Sequence, residues 1–540
     1  MLKQKQKIAY LCLEFGVDNN LPFYAGGLGI LAGDIIKQSA DYGVSMIGVG
    51  LFYQCGYFKQ EISDNLTQIE TDENLTNNAG LELLPFKFNL IIANQNVVVQ
   101  IWKYTYTSSS TNNSYIYFLD TNLAENSTEI CRISSHLYIN DENIRIQQEI
   151  LLGFGADKLF RLINYIPDII HLNESAACYF LVKKDNYPDI KIVFTTHTPV
   201  PHGHRKYSVE FLKKNLEDID YQKIVNFTKD YQTFNETQYC LDISDRANTV
   251  SIKHNQVTKK MFPSYKNEIK NVTNGIHLNT WISIELKELL AKYSIDWMRD
   301  NQLMNLSYRV SLNELELVFN KKKQDLFDFI EFQSGVKLDK RVFTIGFARR
   351  FDPYKRHDFL IQDLEKLNML AGKYNGLQVI YAGKAYFGTG GEGSDINQIL
   401  KVTKKNFPNL KIIFIPNYNI GVAQKLVSGV DLWLNNPEVG NEACGTSGMK
   451  AGVNGVPTLS TLDGWWYEFN LSAMNGFAIN GESEEQEHTS ILSQLDLILD
   501  LYFYKYSKWL KLRRSTMALT GGYFGAGRML NQYINNIYNA

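Results

Sequence analysis

No run of about eighteen or more uncharged apolar residues occurs in this 540-residue chain, which excludes a membrane-spanning helix. Neither sign of charge is in excess. With 55 basic and 57 acidic residues there is no broad field to draw nucleic acid, a membrane surface or a highly charged partner, so any bound anion must be gripped locally. Cysteine is sparse and unpatterned: Cys12, Cys55, Cys131, Cys178, Cys240 and Cys444 form no CxxC pair and no His-rich spacing. That argues against a disulfide framework and a zinc site, and fits a reducing cytoplasm. Internal repeats are lacking, and the Asn/Ser-rich stretch at 107–114 is most simply a solvated loop. The opening MLKQKQKIAYLCLEFG has a basic lead, but Glu14 interrupts its apolar run and no small-residue cleavage site follows, so it reads as a first strand.

What the chain does have is apolar material. At 44% hydrophobic residues over this length it exceeds one ordinary core and can fill two. Apolar runs near 7–13, 44–51, 168–172 and 190–196 alternate with amphipathic helical segments, as in a mostly parallel sheet. Residues 85–120 differ, being aromatic and β-branched with Asn and Ser breaks, and are expected as antiparallel hairpins inserted in the first half. Alternation restarts with RVFTIGFA at 341, LQVIYAG at 377 and LKIIFIPN at 410, a second sheet. The charged, helical stretch 282–338 lies between, and the junction is expected near its beginning.

Four segments have the composition of a site. In YAGGLGILAGD, Gly26, Gly27 and Gly29 lead into a helix whose N–H groups could face an anion, though glycines at such turns often serve close packing alone. FARRFDPYKRH gathers Arg349, Arg350, Lys355 and Arg356 around Pro353; phosphate suits that mix of planar forks and point charges, and a solvated basic turn is the blander account. In NEACGTSGMK, Gly445, Thr446, Ser447 and Gly448 open a short helix bearing Lys450. A lysine close to a phosphate-cradling helix start suits an aldehyde cofactor with its own phosphate, yet helical lysines are mostly solvated. His197, in FTTHTPVP, lies just past a strand's carboxyl end, where open α/β sheets bind ligands, but a lone histidine is more often structural.

Taken together, the ordered motifs LEFG, LPFYAGGLGILAGD, VGLFYQCGYFKQ, IRIQQEILLG, HLNE, VFTTHTPVP, VTNGIH, FARRFDPYKR, YAGKA, NEACGTSGMK and LDGWW resemble the glycogen and starch phosphorylase family, in its short bacterial and archaeal type, from about residue 7 to 480. The resemblance implies an α/β fold of the GT-B kind, two Rossmann-like domains facing across a cleft. The domains expected are 1–280, carrying the glucan and glucose side and the hairpin insertion, and 281–522, carrying the cofactor and phosphate site, with 523–540 a helix crossing back to the first. It implies phosphorolysis of a terminal α-1,4-linked glucose to α-glucose 1-phosphate. The cofactor would be pyridoxal 5'-phosphate, joined to Lys450 as a Schiff base.

By motif position Thr446, Ser447 and Arg349 would hold the cofactor phosphate, and Tyr354 and Tyr418 would line the cofactor. Arg350 and Lys355, with the Gly26 and Gly27 backbone, would bind substrate phosphate. His197, Asn274, Glu442, Cys444 and Gly445 would contact the sugar. In the implied mechanism the cofactor's phosphate, rather than its ring, exchanges a proton with substrate phosphate, which protonates the glycosidic oxygen and then attacks the same face of an oxocarbenium-like sugar. No protein nucleophile or metal is called for. Family members are often dimers or larger, and the lack of an obvious counterpart to the long type's regulatory extension implies weak or absent allostery.

Some positions depart from the family. Ser175 and Ala176 follow HLNE where Gly and His are common, Arg205 replaces an acidic residue, and Cys444 stands where serine is common. The competing readings are a glycogen synthase-like nucleotide-sugar glucosyltransferase, in which Lys450 would have no cofactor to hold, and a non-catalytic glucan binder.

Overall fold

The computed structural model describes residues 6–75, 80–228, 232–298, 300–471 and 474–539. The chain divides into two compact units, Met1–Phe58 with Asp72–Asn274 and Met529–Ala540, and Lys59–Thr71 with Gly275–Arg528.

In the first unit, Ile8–Leu11, Met46–Leu51, Ile169–Asn173 and Lys191–Thr195 are strands at the places the apolar runs indicate. They are buried almost throughout, as expected of parallel strands covered on both faces. Among the described residues the sheet runs in the spatial order Ile269–Asn271, Arg246–Thr249, Lys191–Thr195, Ile169–Asn173, Ile8–Leu11, Met46–Leu51, Asn113–Asp120, Gln95–Thr107, Leu81–Ile92. Chain direction along the sheet reverses beside Ile8–Leu11: Met46–Leu51 lies on one flank and Ile169–Asn173 on the other, both parallel to it. Such a switch point opens a crevice at the strands' carboxyl ends.

Residues 81–120 are antiparallel to one another, and they extend the same sheet instead of forming a separate one. Ala93 and Asn94 join the first two of these strands with φ of 51° and 59°, the left-handed pair that a tight two-residue hairpin needs.

The last segment of the chain completes this unit through a buried polar chain. Tyr538 donates to His171 Nδ1 at 2.7 Å, and His171 Nε2 donates to Thr195 Oγ1 at 2.7 Å. The Thr195 hydroxyl passes its proton side to Asn248 Oδ1 at 2.7 Å, and Asn248 Nδ2 donates to the Tyr533 hydroxyl at 3.2 Å. Each group has one consistent role, and burial holds the His171 imidazole down to about 3, hence neutral. The helical pattern over 523–540 resolves into Tyr506–Phe524, Ala526–Gln532 and a π-helical turn, Tyr533–Tyr538.

In the second unit the six-stranded sheet is parallel throughout its described strands, in the order Leu410–Ile415, Leu377–Ala382, Phe343–Ala348, Leu432–Asn435, Thr458–Thr461, Gly476–Ile479. This is the doubly wound order with its switch point between Phe343–Ala348 and Leu432–Asn435. A buried ion pair sets those two strands: Asp431 Oδ2 accepts from Lys323 Nζ at 2.6 Å and from the Thr344 N–H at 2.9 Å. The hairpin Lys59–Ile62/Gln68–Thr71 belongs here despite its place in sequence. Gln60 Nε2 donates to the Gly383 carbonyl at 2.9 Å, and the Ala385 N–H donates to Gln68 Oε1 at 2.9 Å.

Candidate active site

At the second unit's switch point, two loops leave neighbouring strand ends. The loop after Phe343–Ala348 starts with Arg349 and Arg350, and the loop after Leu432–Asn435 leads to Glu442. Topology therefore brings together charges that lie 93 residues apart in sequence. Glu442 Oε2 accepts from both Arg349 Nη2 and Lys355 Nζ, the latter at 2.6 Å, while Oε1 accepts from Asn435 Nδ2 at 3.2 Å. The side chains of Arg349, Lys355 and Glu442 are 10%, 13% and 5% exposed.

Burial alone would raise the Glu442 carboxyl, but Arg349 and Lys355 outweigh it and hold it at about 2. Burial, then repulsion from Arg349, lowers Lys355 to about 8 against the pull of Glu442. Arg349 Nη1 is buried without a hydrogen-bond partner. Two cations thus share one carboxylate with a donor left over, a local grip on an anion that the chain's balanced charge does not supply elsewhere.

The surrounding residues hold this arrangement. Asp463 Oδ2 accepts from the N–H groups of Gly440 and Glu442 at 2.8 and 3.0 Å, and burial together with the Glu442 charge raises its carboxyl to about 6. Arg356 anchors its loop by donating from Nε to the Asn436 carbonyl at 2.9 Å and from Nη2 to the Pro437 carbonyl at 3.1 Å. The Arg350 guanidinium lies 5.3 Å from the Tyr386 ring centre. Tyr354 lies against Lys355, whose ammonium is 4.3 Å from its ring centre. Burial raises the phenols of Tyr354 and Tyr418, with Arg349 opposing in both.

Lys450 lies on the short helix Ser447–Gly452, which Thr446 precedes without a side-chain capping bond. Its side chain is largely buried, and its ammonium stands 4.1 Å from the centre of the Trp281 ring. Asn454 fixes the pair by donating to the carbonyls of Trp281 and Lys450 at 2.8 and 2.9 Å. The small residues before this lysine have identifiable causes: a Cβ on Gly448 would meet Trp465 at 2.7 Å, and one on Gly445 would meet Glu442 Oε1 at 2.4 Å. Ser447 Oγ accepts from Trp433 Nε1 at 3.1 Å, and Cys444 is buried.

The first unit has its own constellation at its switch point. The helix Gly27–Asp41 begins after Gly26, and Glu14 Oε2 accepts from the N–H groups of Ala25 and Gly26 at 2.7 and 3.3 Å. The packing account of the glycine loop applies at one of its positions. Gly29 is required for packing, since a Cβ would meet Glu14 Oε2 at 2.8 Å, whereas nothing lies within 4 Å of a Cβ on Gly27.

His197 is oriented by its neighbours. Its N–H donates to Glu174 Oε2 at 2.7 Å, and Nε2 faces Asn173 Oδ1 at 2.7 Å. Asn173 Nδ2 is used on Cys12 Sγ, so its oxygen is the acceptor, Nε2 bears the proton and Nδ1 is the basic nitrogen. Burial lowers this imidazole to about 3, with His254 and His171 adding to the effect. Asn274 is buried in the same unit and donates its N–H to the Val250 carbonyl at 3.1 Å.

Glu174, Asp463, Trp281 and Glu14 are not among the residues that sequence reasoning assigned to the site. Glu174 and Asp463 stand inside the HLNE and LDGWW motifs, which were signal enough; Trp281 carries no such mark. Glu174 has φ of 75°, unusual for a side-chain-bearing residue, and three donors converge on its carboxylate: the N–H groups of Ser175 and His197 and the Thr198 hydroxyl. Two of the departures fall together in a buried acidic cluster. Ser175 Oγ donates to Glu236 Oε2 at 3.4 Å, and Arg205 Nε lies 3.5 Å from Glu149 Oε1.

Residues 202–539 match the family model for carbohydrate phosphorylase, and residues 8–282 match that for the starch synthase catalytic domain. The chain is 32% identical to the maltodextrin phosphorylase of Thermococcus litoralis, over 99% of this chain and 71% of the relative. It is 32% identical to the glycogen phosphorylase of Aquifex aeolicus, over 99% and 86%. An uncharacterised protein of Methanocaldococcus jannaschii is 29% identical over 98% of this chain and 99% of its own length. No helix among the described residues is long and apolar enough to cross a membrane. The two doubly wound units and these matches make the fold GT-B, and the chain belongs to the carbohydrate phosphorylase family.

Proposed function

We propose that this chain, an α-glucan phosphorylase by family, releases the terminal α-1,4-linked glucose of glycogen, starch or maltodextrin as α-glucose 1-phosphate, with retention, using pyridoxal 5'-phosphate held on Lys450. The observation that carries the reading is the sharing of Glu442 by two largely buried cations, Arg349 and Lys355, with Arg349 Nη1 left unpartnered. Such a site favours a polyanion in a dry setting.

The residues present fit the cofactor. Lys450 offers a primary amine shielded by Trp281, and Thr446 and Ser447, at the start of the helix that carries it, would hold the cofactor's phosphate. Arg349 would face that phosphate, and Tyr354 and Tyr418 would line the ring. The chemistry such a cofactor supplies when bound is a second phosphate able to exchange a proton with the substrate's.

The chain's own side chains do the rest. Arg350 and Lys355 grip inorganic phosphate and offset the repulsion between two neighbouring phosphates. Glu442, His197 and Asn274, with the backbone of Cys444 and Gly445, orient the sugar. His197 stays neutral, so it contributes hydrogen bonds and not charge. The six free cysteines support a cytoplasmic setting, and the assembly we expect is a homodimer or larger.

One observation favours a second reading: the starch synthase match over residues 8–282 suits a nucleotide-sugar glucosyltransferase. Lys450 separates the two. Purified protein should absorb as a lysine-bound pyridoxal compound, and borohydride followed by peptide mapping should fix the label at Lys450, with phosphate-dependent release of glucose 1-phosphate. Folded protein that takes up no pyridoxal phosphate but transfers glucose from a nucleotide sugar would overturn the proposal.

A further inference from the structure

Cys55, Asp72 and His136 come from three separate stretches of the first unit, and one ligand atom from each lies within 4.8 Å of the others. His136 Nε2 is 3.0 Å from Asp72 Oδ1. Its other nitrogen, Nδ1, is 3.1 Å from Ser135 Oγ, which leaves Nε2 as the nitrogen presented to the cluster. Cys55 Sγ lies 3.5 Å from Asn74 Oδ1.

Backbone hydrogen bonds, rather than chance contact of exposed side chains, bring the three together. The Gln54 and Cys55 N–H groups donate to the Ser134 and Ser135 carbonyls at 3.1 and 2.8 Å, and Leu137 donates back to Gly56 at 2.9 Å. On the other flank the Glu73 N–H donates to the Cys55 carbonyl at 3.2 Å. Gly56, with φ of 61° and Pro22 within 2.9 Å of where its Cβ would be, makes the turn that lays this strand of chain between the other two. The ligand positions are thus fixed by main chain before any ion arrives.

We propose that Cys55, Asp72 and His136 form a zinc site. One sulfur, one imidazole nitrogen and one carboxylate oxygen are the donor types zinc takes, and they suit neither calcium nor magnesium, which take oxygen. In a tetrahedral zinc site, bonds of about 2.0 to 2.3 Å put ligand atoms roughly 3.2 to 3.8 Å apart, so the cluster needs only to spread between Asp72 and His136 and draw in at Cys55. Binding releases the thiol proton, and thiolate and carboxylate then balance the ion's two charges. The fourth position falls to water, with Asn74 beside the sulfur. The cysteine spacing gave no sign of this because zinc patterns in sequence rely on ligands close together, whereas these stand at 55, 72 and 136 and meet only through the fold.

The site acts as a cross-link. It ties the turn after Met46–Leu51 to the segment that leads on to Tyr138, whose hydroxyl donates to Glu14 Oε1 at 2.6 Å.

The test uses tag-free full-length protein, stripped with chelator and reloaded with zinc or cobalt(II). Wild type should retain one zinc per chain after dialysis, melt several degrees higher with zinc than without, and show a thiolate-to-cobalt charge-transfer band. Cys55→Ser should lose that band, and Asp72→Asn and His136→Gln should weaken zinc binding at least about tenfold. Asp72 is 56% exposed, so its amide variant tests the ligand set without risk to the fold. Equal metal uptake by wild type and Cys55→Ser, or no uptake by wild type at micromolar zinc, would overturn the proposal.

Discussion

Lys355 Nζ lies 2.6 Å from Glu442 Oε2, an oxygen that also accepts from Arg349. The carboxylate is held at about 2, below its ordinary 4.5, so its contribution to stability is complete above pH 4.5 and is lost as pH falls towards 2. Glu442→Gln leaves two largely buried cations without their counter-charge. It should lower unfolding free energy at neutral pH by about 3 kcal/mol, the scale for breaking one side of a buried pair. Urea unfolding at pH 7 and pH 3 reads this directly, and the gap between wild type and variant should narrow at the lower pH.

Lys355 predicts an alkaline limit to phosphate use. Burial and Arg349 hold its ammonium at about 8, so above that pH the free enzyme loses a positive charge from the phosphate grip. The kcat/KM for phosphate should fall up to about tenfold per pH unit beyond this point. In Lys355→Arg, whose guanidinium stays charged, that alkaline fall should vanish even if overall activity drops. A limb that remains at the same pH in the variant would assign it to another group.

Lys450→Ala should abolish the cofactor absorbance and reduce phosphorolysis by more than about a thousandfold, the scale for removing a group on which the other catalytic residues depend. Far-UV circular dichroism should stay unchanged. Retained phosphorolysis without a chromophore would break the link between this lysine and catalysis.

Tyr538→Phe removes the donor to His171 Nδ1 and should cost about 1 to 3 kcal/mol, the range for leaving a buried acceptor unsatisfied. Because the fold keeps His171 neutral, with its value near 3 against an ordinary 6.5, the native state binds fewer protons than the unfolded one between those limits. Stability is therefore full above pH 6.5 and declines as pH falls towards 3, which thermal unfolding across that range would follow.

Strands such as IAYL, MIGVGL and LQVIYA could be read in the sequence because uninterrupted burial gives an apolar run bounded by polar turns. RANT and TLST could not: the sheet buries their threonines, serine and asparagine along with the apolar residues, so no run of apolar residues marks them. LWLN and GFAI are apolar, but Asp431 and Asn435 bound the one and Asn475 and Asn480 the other, whereas the run begun by IAYL continues through Cys12 and Leu13. The basic segment 349–356 and the lysine helix were visible as compositions, since charge and small residues cluster along the chain there. The pairing of Glu442 with Arg349 and Lys355 could not be read along the chain, because only the strand order puts that carboxylate beside them. The polar hairpin 59–71 carried no sign that it belongs with residues three hundred positions away.

The distance in sequence between His171 and Tyr538, 367 residues, also sets an order of events during synthesis. The first unit's strands leave the ribosome early, but the hydroxyl that satisfies His171 and the aromatic rings that cover it arrive only after the whole second unit has been translated. The sheet around Ile169–Asn173 must therefore wait, with an apolar flank exposed, while the intervening chain folds. A nascent chain stalled near residue 300 should bind chaperones and yield to protease at this sheet, and gain protection once residue 538 has emerged.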